Sequence, residues 1–187
     1  MKVLHLASFS GNIGDNASHY GLYKILNKLI YISEIKKIEI RNFYKNALGP
    51  TKRKFDKSFV DECNKYDLVI LGGGGYLDYW IPNSITGTTF DISEKSLGDI
   101  SSPILFSSLG CVPGKRVPRG NNKKFIDFLN QISDKENRFL LLRNDGSMEH
   151  LIEHLKFQIP GNFKSILDNG FFYENFYETK LGLKPYI

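Results

Sequence analysis

Six residues, Tyr66-Asp67-Leu68-Val69-Ile70-Leu71, run directly into four glycines, Gly72-Gly73-Gly74-Gly75. Nothing else in the chain constrains the fold as tightly. An apolar run this short reads as a buried β-strand, and four glycines in a row are expected to end it in a turn. Glycine tolerates positive φ and lets a ligand approach bare backbone, so N–H groups at such a turn can face an anion. Open α/β sheets bind ligands at this place, beyond the carboxyl ends of their strands. A tight turn built for geometry alone uses the same residues.

A second glycine turn follows the first apolar run. Lys2-Val3-Leu4-His5-Leu6 leads into Gly11-Asn12-Ile13-Gly14-Asp15-Asn16, and Leu22, Ile25, Leu26 and Leu29 then recur at helical spacing. Asp15 or Asn16 is expected to cap that helix. A strand, a glycine turn and a helix in this order bring backbone donors and a helix N-terminus to the strand's end, which favours phosphate or carboxylate. Neither turn carries GxGxxG or a P-loop lysine, so the pattern indicates an anion without naming it.

The same alternation continues along the chain. Ile38–Ile40, Asp67–Leu71, Pro103–Ser107, Arg138–Leu142 and Lys164–Leu167 read as strands. Lys57–Lys65, Asn121–Ile132 and Asp145–Leu155 read as helices, and Asp78 to about Gly98 reads as polar and irregular. This pattern predicts a Rossmann-like, doubly wound α/β domain with a mainly parallel sheet over residues 1–170, followed by an aromatic tail over 171–187. At this length about 70% of the unfolded surface can be buried. Phe171, Phe172, Tyr173, Phe176 and Tyr177 in the tail suit packing on this domain or on a partner surface.

Two further strand ends are polar. Ser107-Ser108-Leu109-Gly110 ends one in small residues, and Arg143-Asn144-Asp145-Gly146-Ser147 ends the next and opens a helix. A guanidinium there can form paired bonds to a carboxylate or phosphate, or can pair with an acid such as Asp15 or Asp145. Ser147 is expected to cap its helix or orient a loop.

The formal charge is +5, gathered in two loops: Lys45, Lys52, Arg53 and Lys54 in one, and Lys115, Arg116, Arg119, Lys123 and Lys124 in the other. They read as solvated loops or as a basic rim that draws in acidic ligands. No recognition-helix, zinc-finger or RNP-type signature accompanies them, so nucleic acid is not the expected partner. No apolar run spans a bilayer and the first residues lack a secretory pattern. Two cysteines without paired spacing, Cys63 and Cys111, fit a reducing cytoplasm. His150-Leu151-Ile152-Glu153-His154 matches an inverted zincin string, but a solvated helix face explains it better than a metal. His5 reads as a core residue and His19 as a helix residue near the first glycine turn. Tyr76, Tyr79, Trp80 and Pro82 suit either a sugar face or a cover over the sheet end.

Taken in order, Gly11-Asn12-Ile13-Gly14-Asp15, Asp67–Gly74, Ser108-Leu109-Gly110 and Arg143-Asn144-Asp145-Gly146-Ser147 resemble the polysaccharide pyruvyl transferase family. Leu167-Asp168-Asn169-Gly170-Phe171 resembles the segment that closes the first half of that family. The likeness covers nearly all of this chain and about half of a usual member. It implies the N-terminal half of a two-domain transferase of the GT-B type, with the chain ending where the second domain would begin. It further implies transfer of the enolpyruvyl unit of phosphoenolpyruvate onto two hydroxyls of a sugar in a cell-surface polysaccharide precursor, giving a cyclic ketal without a cofactor or metal. Arg143 matches the family's arginine and would grip the donor. Gly11, Asn12, Gly14, Asp15 and Gly72–Gly75 would line the cleft, and Ser147 falls at the motif serine. Asn144 stands where the family has an acid, and the Arg- and His-bearing second-half motif is missing. A GT-B glycosyltransferase using a sugar nucleotide would share the scaffold. So would a truncated or accessory domain that binds anionic sugars, or one completed by a second domain or partner chain.

Overall fold

The computed structural model describes residues 1–10 and 12–173. Gly11 and the tail from 174 onward, with Phe176 and Tyr177, lie outside the described residues. Six strands form one sheet in which every pairing is parallel, in the order β2-β1-β3-β4-β5-β6. They are β1 (Lys2–Ala7), β2 (Glu34–Glu39), β3 (Leu68–Gly74), β4 (Ile104–Leu109), β5 (Arg138–Arg143) and β6 (Phe163–Ile166). The helices are α1 (Ile13–Leu29), α2 (Lys57–Cys63), α3 (Glu94–Gly98), α4 (Asn121–Ser133) and α5 (Ser147–Glu153), with short 3-10 turns at Ile40–Phe43 and Asn169–Phe172.

Alternate residues of the inner strands explain the layering. Val3 and Ile70 face α1 through Leu22 and Leu26. Leu4, Leu6, Val69, Leu71, Phe106 and Leu140 face the opposite way, into a larger core with Phe59, Leu97, Phe125, Phe128 and Leu151 from α2 to α5. Helices therefore cover both faces, as a doubly wound, Rossmann-like sheet requires. The chain leaves β1 for β2 on one side, then crosses back to β3 on the other. The carboxyl ends of β1 and β3 thus flank the switch point of the sheet.

Several local expectations change. The glycines do not break β3, which continues to Gly74 with Gly72 opposite Ser107 and Gly74 opposite Leu109. Gly72 and Gly73 hold φ of 143° and 94°, which lets the strand pass through them. A Cβ on Gly73 would sit 2.7 Å from the His19 ring, so the absent side chain makes room for α1. β2 begins earlier than Ile38 and ends at Glu39, with Ile40 opening the 3-10 turn. It is an edge strand whose only buried residue is Ile38, and its charged sequence conceals it. The N-cap of α1 is Asn12, whose side chain accepts from Gly14 N–H at 2.9 Å, rather than Asp15 or Asn16. The 78–98 segment is irregular as far as α3, a helix that the sequence pattern does not announce, and it is well packed: Phe90 and Ile92 join the core, and the buried Ser84, Thr86 and Thr88 hydroxyls bond to each other and to nearby carbonyls.

Candidate functional site

The loop after β1 is pinned from four sides. Ser8 N–H donates to the Tyr76 hydroxyl (2.9 Å), the His19 Nε2–H donates to the Ser8 carbonyl (2.8 Å), and Arg41 Nε donates to Ser8 Oγ (3.1 Å). Phe9 N–H donates to Glu39 (3.0 Å). Under this loop, His5 Nε2 donates to the Gly72 carbonyl (3.2 Å) while its Nδ1 accepts from the Tyr23 hydroxyl (2.6 Å). Complete burial and the neighbouring His19 push the His5 pKa down to about 3, so it is a neutral core residue, as its place within a strand suggests. Burial also lowers the pKa of His19, whose Nδ1 has no protein partner.

Arg143 stands at the end of β5, where its Nη2 meets Asp145 at 3.0 Å and its Nη1 meets Asp168 at 3.6 Å. Asp145, and not Asp15, is thus the acid from its own neighbourhood that holds it. Ser147 does not cap α5. Gly146 occupies the cap position, and the buried Ser147 hydroxyl accepts from Cys111 N–H (3.0 Å) and donates to Asp145 (2.5 Å). Its contact with the site runs through Asp145. Ser107 and Ser108 tie β4 to the last 3-10 turn: Asn169 Nδ2 donates to Ser107 Oγ (3.1 Å), and Asn169 N–H donates to Ser108 Oγ (3.3 Å).

These elements border an open, charged chamber of about 430 Å³, lined by Asn12, Gly14, Asp15, Gly73, Arg143 and Asp168 among others. Burial raises the Asp15 pKa, against the pull of His19, Ser8, Arg41 and Arg143. A second chamber of about 560 Å³ lies past Gly75, with Tyr44, Asp78, Trp80 and Pro82 in its walls. Asp78 connects the two electrostatically. Burial pushes its pKa from 3.8 up to about 6, opposed by Arg143 and a bond from Trp80 and aided by Asp145. A carboxyl that titrates near neutrality can take or give a proton at physiological pH.

Of the residues singled out from sequence, Asn12, Gly14, Asp15, Gly73 and Arg143 line the charged chamber, and Gly75 lines the aromatic one. Gly72 is sealed in strand pairing, and Gly74 packs against the Tyr76 ring. Tyr76 and Tyr79 are buried, Tyr79 stacked on Phe125 and bonded to His150 (2.7 Å), so they cover the sheet end. Trp80 and Pro82 reach the chamber. Sequence reasoning missed Asp78 and Arg41. The signal for Asp78 was a carboxylate set between Leu77 and Tyr79 just beyond the glycines. The ring centroids of His150 in α5 and of His154, its C-cap, lie 4.7 Å apart with the planes tilted by 32°, and among the described residues no group of three or more His, Cys, Asp or Glu could hold a metal. No helix among them is long and apolar enough to cross a membrane.

Compared with known proteins, the chain matches no family model and no curated protein.

Proposed function

We propose that this protein acts as a pyruvyl transferase-like protein, moving the enolpyruvyl unit of phosphoenolpyruvate onto a sugar of a cell-surface polysaccharide precursor. The observation that carries this reading is the pair of chambers flanking Gly73–Gly75, one charged and lined by Arg143, the other aromatic and lined by Asp78, whose carboxyl feels the Arg143 charge. The motif resemblance supplies the reaction, and the GT-B-type second half belongs to the proposal with it.

The guanidinium of Arg143 and the first N–H groups of α1 suit the donor's carboxylate or phosphate. Asp15 and Asp168 accept from hydroxyls, and Trp80 offers a ring face for a sugar. A mixed lining of this kind fits a place where an anionic donor meets a polyhydroxylated acceptor. In the reaction, one sugar hydroxyl adds to C2 of the enolpyruvyl group as C3 gains a proton. A second hydroxyl then displaces phosphate and loses its proton, closing the ketal. Asp78, titrating near pH 6, is the group suited to proton exchange with the acceptor.

Isothermal titration with phosphoenolpyruvate tests the reading, with Arg143→Ala beside the unaltered chain and a sugar nucleotide as competitor. Expected is binding that the variant weakens at least about tenfold, the scale of a charge-assisted pair. Absence of binding by the folded protein, or equal binding by Arg143→Ala, would overturn it. Displacement by the sugar nucleotide alone would instead select a glycosyltransferase on the same scaffold.

A further inference from the structure

The chain from Asn42 to Lys54 folds into a closed loop with an apolar tip and a basic return arm. Arg53 N–H donates to the Asn42 carbonyl (2.8 Å) and closes the base, where the buried Phe43 and Phe55 rings lie 4.4 Å apart. Ala47 N–H donates to the Tyr44 carbonyl (2.9 Å) and Lys52 N–H to the Gly49 carbonyl (3.2 Å), so two turns build the tip. Gly49 holds φ of 88° in the second of them. Leu48 stands beside it with 86% of its surface exposed, next to the exposed Pro50. A further exposed aliphatic side chain, Ile85, lies close by: its N–H and the Lys45 ammonium bond the two oxygens of one carboxylate, Asp91, at 2.7 and 3.3 Å. The acids of the neighbouring segments are committed, Asp91 to Lys45, Asp56 to capping α2 through Ser58 N–H (3.0 Å) and Asp61 to Lys57 (3.1 Å). Lys52, Arg53 and Lys54 pair with no carboxylate among the described residues.

We propose that this loop docks the protein on the surface of an anionic lipid bilayer, with Leu48 entering the boundary between headgroups and acyl chains and Lys52, Arg53 and Lys54 against the lipid phosphates. The two parts act at different ranges. The cations feel a negative surface over a Debye length, and each is worth about fivefold in affinity near it. Leu48 acts only on contact, by leaving water. Neither suffices alone, since a single short apolar anchor binds weakly and a few charges are screened, but an apolar group beside a basic patch gives reversible membrane attachment. The exposed leucine also selects the partner. A nucleic acid backbone would meet the same cations but offers no apolar layer for Leu48 to enter. The docking stands apart from the reaction proposed above and needs neither Arg143 nor Asp78.

The test is co-sedimentation of the full chain with vesicles of phosphatidylcholine, alone or mixed with phosphatidylglycerol. Expected is binding to the mixed vesicles that weakens as salt is raised, with little or none to phosphatidylcholine alone. The exposed pair Lys52→Gln/Lys54→Gln should weaken it about thirtyfold. Leu48→Ser should weaken it about tenfold and leave the salt dependence as it was. Because Cys63 and Cys111 are buried, Leu48→Cys can carry a nitrobenzoxadiazole dye at that position alone. The dye should brighten with the mixed vesicles, as it enters an apolar layer, and stay unchanged with a DNA duplex. Equal binding to both kinds of vesicle, no effect of Leu48→Ser, or a dye that stays dim on bound vesicles would each overturn the proposal. Tighter binding to the duplex than to the mixed vesicles would overturn it in favour of nucleic acid. Arg143→Ala should bind the vesicles as the parent does, so loss of phosphoenolpyruvate binding and loss of docking are read separately.

Discussion

Replacing Gly21 with alanine should destabilise the protein and disturb the charged chamber together. Gly21 is buried in the middle of α1, and the 3-10 turn Asn169–Phe172 lies directly against it. A Cβ at this position would stand 1.8 Å from the Asn169 carbonyl oxygen and 2.8 Å from its carbon. A carbon and an oxygen settle no closer than roughly 3.3 Å, so the turn must retreat by about 1.5 Å. The obstacle is backbone, which has no rotamer to swing away. On an unencumbered helix the same substitution would gain about 1 kcal/mol from propensity alone. Overpacking costs about 1–3 kcal/mol, and loosening the Asn169 bonds to Ser107 and Ser108 adds about 1 kcal/mol each. The net expectation is a loss of about 2–4 kcal/mol in urea unfolding. Because Asp168 and Gly170 line the chamber, phosphoenolpyruvate binding should weaken as well. Gly98→Ala, at the last position of α3 with nothing within 4 Å of its Cβ, is the control and should stabilise by up to about 1 kcal/mol. A Gly21→Ala protein more stable than the parent would show that the turn does not rest on α1.

Other substitutions probe separate parts of the structure. Asp78 has its pKa raised, so the folded state holds that proton more tightly than the unfolded one, and stability falls as pH rises from 3.8 through about 6. Asp78→Asn removes this penalty, so unfolding curves should coincide near pH 4 and favour the variant by about 1–2 kcal/mol above pH 7, after discounting for its partial exposure. A gain that is the same at both pH values would contradict the assignment. Arg138 is buried in β5 with its guanidinium bonded to the Gln131 and Leu97 carbonyls, each at 2.7 Å. Arg138→Met keeps the stem but orphans both acceptors, and should cost about 2–4 kcal/mol in urea unfolding; a variant as stable as the parent would refute that role. Burial pushes both thiols, Cys63 and Cys111, up to about 12, so a thiol reagent at mildly alkaline pH should label neither in the native state and both in denaturant. Rapid native labelling would mean that one of them is not packed as described.

The parts of the fold legible in the sequence are those where local pattern and burial agree. β1, β3, β4 and β5 lie inside the sheet, so their residues must be apolar, and short apolar runs betray them. α4 was legible for a related reason, because Phe125, Phe128, Leu129 and Ile132 all turn toward the core. Of β2 only the end was, at Ile38 and Glu39, because an edge strand needs only one buried residue, and Ile38 alone does not announce six. The glycine run misled in a more instructive way. Glycines carry no side chain to signal a partner, so nothing local distinguishes a turn from a strand paired with Ser107 and Leu109. The cap of α1 falls at Asn12, and the loop before it is anchored by His19 of α1 itself and by Glu39, Arg41 and Tyr76, which are distant in the chain.

By itself, then, the chain's order of residues determined the alternating strands and helices, the polar strand ends on one edge, and Arg143 as a charge placed there. Those depend on periodicity and on neighbours a few positions away. Only the tertiary structure decided that Arg143 is held by Asp145 and Asp168, that Asp78 is buried enough to titrate near pH 6, and that Lys45 and Trp80 line one chamber. Charge pairing, desolvation and cavity shape depend on which residues are close in space, and the crossovers between parallel strands bring together residues that the sequence keeps tens of positions apart.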